Sequence, residues 1–247
     1  MKSITNYINE KLFVKTNKNT PSYKYFPETK EELISIIRQR IKKEGKEIDL
    51  NDIDVSKITD MSNLFYDNRY YRYKKFNCDI SNWDVSNVTN MSYMFAWCES
   101  FNCDISGWDV SNVENMSGMF NDCKVFNQDL SSWDVSNVTD MSSMFCACDK
   151  FNQPLNKWNV SKVTNMCAMF CGCDLFNQPL NDWDVSKVTD VKDMFLACES
   201  FNKDISKWDL SNVDYNRYVK HNMSSDAYKE TIFKKCPIEE KYKPKFK

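Results

Sequence analysis

Cys146 and Cys148 form a C-x-C, Cys171 and Cys173 repeat it 25 residues later, and Cys167 precedes Cys171 by one helical turn. Structural zinc sites favour Cys ligands, so Cys146, Cys148, Cys171 and Cys173, supplied by adjoining segments, are a candidate metal set. Against it, C-x-C residues of adjoining coils can point apart, and a buried free cysteine is a common small hydrophobe. Repeat spacing also falls within the Cα separations of a disulfide, so bridges are a further alternative; reduced thiols are the favoured state.

A second set is acidic. Asp84, Asp109, Asp134, Asp184 and Asp209 recur in step, with Asn159 at the one remaining place. Such a strip is a candidate for calcium or for a basic ligand. Unit charges about 5 Å apart in water repel by roughly 0.8 kcal/mol, and a helix N-terminus worth about 0.3–1 kcal/mol offsets that, so Asp84 with Ser86 reads first as a cap. Catalysis has little to work with. The one histidine, His221, lies outside the full repeats, and the four glycines are isolated, so neither a Cys–His or Ser–His arrangement nor a phosphate-cradling loop is written. The carboxylates recur identically where an active site needs one place that differs. The expectation is a non-enzymatic chain with no cofactor.

The element that must position these residues is Phe76 to Ser100, FNCDISNWDVSNVTNMSYMFAWCES, rewritten from Phe101, Phe126, Phe151 and Phe176; a sixth copy from Phe201 dissolves after Val213. A constant period with few substitutions means one unit stacked on itself. Ile80, Trp83 and Val85 follow the apolar-x-x-apolar-x-apolar order of a short strand, and Val88, Met91, Met94 and Phe95 follow helical spacing. The expected fold is an α/β repeat solenoid: leucine-rich-repeat-like coils of a short parallel strand plus a short helix, with helical N- and C-terminal caps. Parallel strands about 4.8 Å apart would make a sheet only about 30 Å long. The column Asn77, Asn102, Asn127, Asn152, Asn177 and Asn202 reads as a ladder that satisfies turn backbones between coils.

Three regions follow. Residues 1–49 are an N-terminal segment and capping helix, in which Thr29 and Glu32 have capping-box spacing and Leu33, Ile37 and Ile41 make an apolar stripe. Residues 50–213 are the repeats, the first copy divergent and carrying an insertion at 66–75 whose Arg69, Tyr70, Tyr71 and Arg72 are candidate contact residues. Residues 214–247 are a C-terminal cap and basic tail.

The repeat resembles that of the BspA-type leucine-rich-repeat-like surface proteins, a family also recorded in mycoplasma lipoproteins, over about residues 50–213. The resemblance implies a role in recognition or attachment, often at a cell surface, and carries no catalytic motif. Lys+Arg 33 against Asp+Glu 35 gives a net charge of -2, which offers no basic field for nucleic acid. With no apolar run long enough for a membrane span and no secretory signal read at Met1, the expected location is cytoplasmic, the cell surface being the family-based alternative. The expected function is protein recognition through the exposed sheet face. There the column Asn82, Gly107, Ser132, Lys157, Asp182 and Lys207 varies beside the constant Asp84, Asp109, Asp134, Asp184 and Asp209. A surface adhesin and a zinc- or calcium-loaded solenoid are the alternatives.

Overall fold

The structure, a computed structural model, describes residues 22–45, 47–66, 73–217 and 223–246. Arg69, Tyr70, Tyr71 and Arg72, with most of the 66–75 insertion and His221, lie outside the described residues. Helix α1 spans Lys30–Glu44 and helix α2 Ser225–Ile232, with one 3-10 turn at Glu240–Tyr242. Among the described residues between α1 and α2 there is no helix and no strand, only turns and single parallel bridges. The expected α/β solenoid, with a short parallel strand and a short helix in every coil, is therefore overturned, and with it the sheet face.

The reason lies in the backbone of each coil. One turn after another closes by i to i+3 bonds: Trp83 N–H donates to the Ile80 carbonyl (3.1 Å), Val88 to Val85 (2.9 Å), Met94 to Met91 (3.2 Å) and Cys98 to Phe95 (2.9 Å). The third residue of the last two turns is left-handed, with φ of 54° at Tyr93 and 67° at Trp97, and the same pair recurs as Gly118/Asp122, Ser143/Ala147, Ala168/Gly172 and Asp193/Ala197. A right-handed helix cannot run through a left-handed residue. Two successive turns place Met91, Met94, Phe95 and Cys98 on one side just as a helix would, so the spacing is shared and the backbone is not.

Stacking is what holds the left-handed residues, each of which costs a non-glycine roughly 1–2 kcal/mol. Alternate amides donate to the next coil: Met91 to Asn115 (2.9 Å), Tyr93 to Ser117 (2.8 Å), Phe95 to Met119 (2.9 Å) and Trp97 to Asn121 (2.7 Å). The pattern repeats from Met116, Met141 and Met166. Parallel bridges run along Asp60, Asn90, Asn115, Asp140, Asn165 and Asp190, one residue wide at each coil.

Inside this ladder the core is columnar. Phe65, Phe95, Phe120, Phe145, Phe170 and Phe195 stack with centroids 5.3–5.8 Å apart, and Phe76, Phe101, Phe126, Phe151, Phe176 and Phe201 form a second stack at 5.8–6.0 Å. Trp83, Trp108, Trp133, Trp158, Trp183 and Trp208 are buried, and each indole N–H donates to a carbonyl of the preceding coil, Trp158 to Leu130 at 2.9 Å for example. That bond meets the requirement that a buried N–H find an acceptor.

Gly118 shows how tightly neighbouring coils fit. Its φ is +59°, and a Cβ there would lie 2.3 Å from a ring carbon of Tyr93, its equivalent in the preceding coil. Gly118→Ala is expected to cost about 1–3 kcal/mol, and the double variant Tyr93→Ala/Gly118→Ala to recover the steric part but not the backbone part. Urea midpoints for the cycle check this; full additivity would mean that the ring and the glycine do not meet.

The ends close the ladder. In α1 the Thr29 hydroxyl accepts from Glu32 N–H (3.2 Å), while the Glu32 carboxylate accepts from Glu28 N–H (2.8 Å), one residue earlier than a capping box between Thr29 and Glu32 requires. Leu33, Ile36, Ile37 and Ile41 are its buried face. At the other end Phe195 N–H donates to Ile232 (2.9 Å) and Ala197 to Lys234 (2.8 Å), Phe233 extends the first phenylalanine stack at 5.7 Å, and Lys235 is left-handed. Residues 232–236 thus copy the M-F-x-x-C turn after α2.

Candidate functional site

Every coil presents two turn apices to solvent, and the constant polar residues there serve the turns. The Asp84 carboxylate accepts from Ser86 N–H (3.1 Å) and Ser86 Oγ (2.6 Å), and Asp109, Asp134, Asp184 and Asp209 accept from the serine amide two residues on. These are Asx-type turns with no helix behind them, so the helix-cap reading is corrected: the bond exists and the helix does not. A second series, Asp79, Asp104, Asp129 and Asp204, does the same with Ser81, Ser106, Ser131 and Ser206. The Asn ladder is present: each side-chain oxygen accepts the amide of the Asn one coil later, Asn102 from Asn127 at 2.9 Å, and Asn202 ends it on Glu239 N–H.

The serine hydrogen bonds hold Asp79, Asp104, Asp109, Asp129, Asp184 and Asp204 below the usual carboxylate range. A lowered folded pKa contributes stability that is present above the unfolded value of about 3.9 and lost as pH falls through the folded one. Thermal melting is therefore expected to hold steady from neutrality to about pH 5 and to fall below about pH 4. A melting temperature that rises on acidification would contradict the Asx-turn role.

Asn82, Gly107, Ser132, Lys157, Asp182 and Lys207 sit at the first apex, all exposed, next to the exposed Asp84, Asp109, Asp134, Asp184 and Asp209. The structure brings these residues together as one strip of turns instead of a sheet face. Two residues join them that the column of variable positions does not reveal: Lys162 and Lys187, exposed at the second apex, where other coils carry Asn87 and Asn112. Asn112 donates to the Ser86 carbonyl (2.8 Å), whereas the longer Lys162 reaches Asn137 Oδ1 (2.7 Å). The Asn/Lys alternation in S-[NK]-V is the sequence signal for them. The strip is acidic without lysine from Asp84 to Asp134, and carries Lys157, Lys162, Lys187 and Lys207 among Asp182, Asp184 and Asp209 thereafter.

The cysteines split. Cys148 and Cys173 are fully buried and donate to the Phe120 and Phe145 carbonyls at 3.0 and 2.8 Å, as Cys123 does to Phe95. Burial pushes all three thiols up. Cys146 and Cys171 lie partly exposed. The four proposed zinc ligands therefore do not converge, and no group of three or more metal-ligating side chains exists among the described residues. No helix among them is long and apolar enough to cross a membrane.

Repeated coils stacked by a backbone ladder, closed by a helix near each end, define a repeat protein. The chain belongs to the family described as Mycoplasma protein of unknown function, DUF285, which matches residues 35–145 and again 128–232. No curated protein and no solved structure matches the chain.

Proposed function

We propose that the protein is a non-enzymatic recognition module that binds another protein along the strip of turn apices. The observation that carries this is the division within each coil: Trp, Phe, Asn and Asp hold the neighbouring coil or their own turn, while position 82 and its equivalents stay exposed and change from coil to coil. Variation inside a fixed frame is how repeat arrays reach specificity. The charge order adds a direction: the partner presents basic groups toward Asp84, Asp109 and Asp134, and acidic groups toward Lys157, Lys162 and Lys187. The resemblance of the repeat to BspA-type proteins supports a recognition role. Affinity capture from cell extract, with the intact chain beside Lys157→Glu/Asp182→Lys/Lys207→Glu, tests it. Loss of the captured partner is expected, and equal retention of every captured protein would overturn the proposal.

A further inference from the structure

In a chain whose columns repeat, positions that break the column carry information. Cys146 and Cys171 occupy equivalent places on adjoining coils where other coils have Ala96, Asn121 and Leu196. Their backbones are pinned in the inter-coil ladder, Asp122 N–H on the Cys146 carbonyl at 2.8 Å and Ala147 N–H on the Cys171 carbonyl at 2.7 Å. The two side chains are neighbours across the boundary between the coils and affect each other's ionisation. Neighbouring backbones in such a ladder lie about 4.8 Å apart, inside the roughly 4.4–6.8 Å Cα range of a disulfide. Unlike Cys148 and Cys173, both are partly exposed, so a small reagent can reach them.

We propose that Cys146 and Cys171 form a reactive dithiol that a small-molecule disulfide oxidises to a bridge between the two coils. One of the two thiols gives its proton to solvent and its sulfur attacks one sulfur of the reagent, forming a mixed disulfide and releasing one small thiolate, which takes up a proton. The other then loses its proton to solvent and attacks the protein sulfur of that mixed disulfide, forming the Cys146–Cys171 bond and expelling the second small thiolate, which takes up a proton. Two cysteine thiols are oxidised and one reagent disulfide is reduced to two thiols.

Attack comes from the thiolate, and whichever of the two cysteines reacts first is resolved by its partner across the coil boundary. Cys167, partly exposed and four residues before Cys171, is the internal competitor.

The test treats the reduced full-length chain with glutathione disulfide, followed by intact mass measurement and non-reducing peptide mapping. Wild type is expected to lose two hydrogens, keep no glutathione and yield a Cys146–Cys171 peptide. Cys146→Ser is expected to keep one glutathionyl group on Cys171, and Cys171→Ser to keep one on Cys146. A wild-type chain that keeps glutathione on Cys146 or Cys171, bridges Cys171 to Cys167 or Cys173, or stays reduced would overturn the proposal.

Discussion

Phe145→Ala is expected to lower the free energy of unfolding by about 3–5 kcal/mol. Its ring is wholly buried and touches four others, Phe120 at 5.7 Å, Phe170 at 5.8 Å, Phe151 at 4.0 Å and Trp158 at 6.3 Å. The Phe145 backbone also sits at a crossing, its N–H on Met169 and its carbonyl receiving Cys148 N–H and the Cys173 thiol. Those bonds survive truncation, so the cavity stays rigid and collapses little, which puts the cost at the upper end of the range. Each coil touches only its neighbours, so a void at Phe145 uncouples the coils on either side, and urea unfolding is expected to broaden as well as shift. Phe233→Ala, at the end of the same stack and 9% exposed, is expected to cost less and leave the transition sharp. Equal losses at the two positions would show that the continuous stack is not the main source of cohesion.

Tyr228→Phe is expected to cost on the order of 3 kcal/mol, a large effect for one oxygen atom. In the last coil Phe195 and Ala197 find the Ile232 and Lys234 carbonyls, but Val191 N–H, at the place of Met166, meets no backbone carbonyl among the described residues. The Tyr228 hydroxyl accepts that N–H at 2.9 Å and donates to the Asp190 carboxylate at 2.7 Å, and Asp190 is only 3% exposed. Removing the hydroxyl orphans a buried N–H, worth about 1–3 kcal/mol, and takes a donor from a buried charge that Arg217 also meets at 3.3 Å. Tyr215→Phe is the control, because the Tyr215 hydroxyl is buried without a hydrogen-bond partner among the described residues; it is expected to be neutral or stabilising. Denaturant midpoints for the pair, with hydrogen exchange at Val191, check this, and equal midpoints would remove Tyr228 as the closing residue.

The period, the buried columns of Trp, Met, Val and Phe, the Asn ladder and α1 are all legible in the sequence, because each depends on which residues are apolar and on their spacing. The strand and helix are not, and the reason is specific. Spacing of i, i+3, i+4 reports which side chains share a side, and successive turns with left-handed third residues satisfy it as well as a helix does. Gly118 and Gly172 are the two visible marks of that backbone, and Tyr93, Trp97, Ala147 and Ala168 hide it elsewhere. The D-x-S turn is likewise ambiguous, since the same hydrogen bond opens a helix or closes an isolated turn. At the C-terminus, F-K-K-C repeats the F-x-x-C of the coils, but the intervening 214–232 breaks the count. The candidate strip is legible as a variable column, but among the described residues it lies on turns and not on the sheet face that the spacing predicts, and Lys162 and Lys187 join it only once the second apex is seen beside the first.

On the proposed reading, constant polar residues build the coils and the variable column is left for recognition. Paired urea unfolding of two triple variants measures this directly. The column variant, Lys157→Glu/Asp182→Lys/Lys207→Glu, is expected to stay within about 0.5 kcal/mol of the intact protein. The frame variant, Asp109→Ala/Asp134→Ala/Asp184→Ala, is expected to lose about 0.5–1.5 kcal/mol for each Asx turn removed. The reverse ranking, with the exposed column carrying the stability and the aspartates dispensable, would contradict that division.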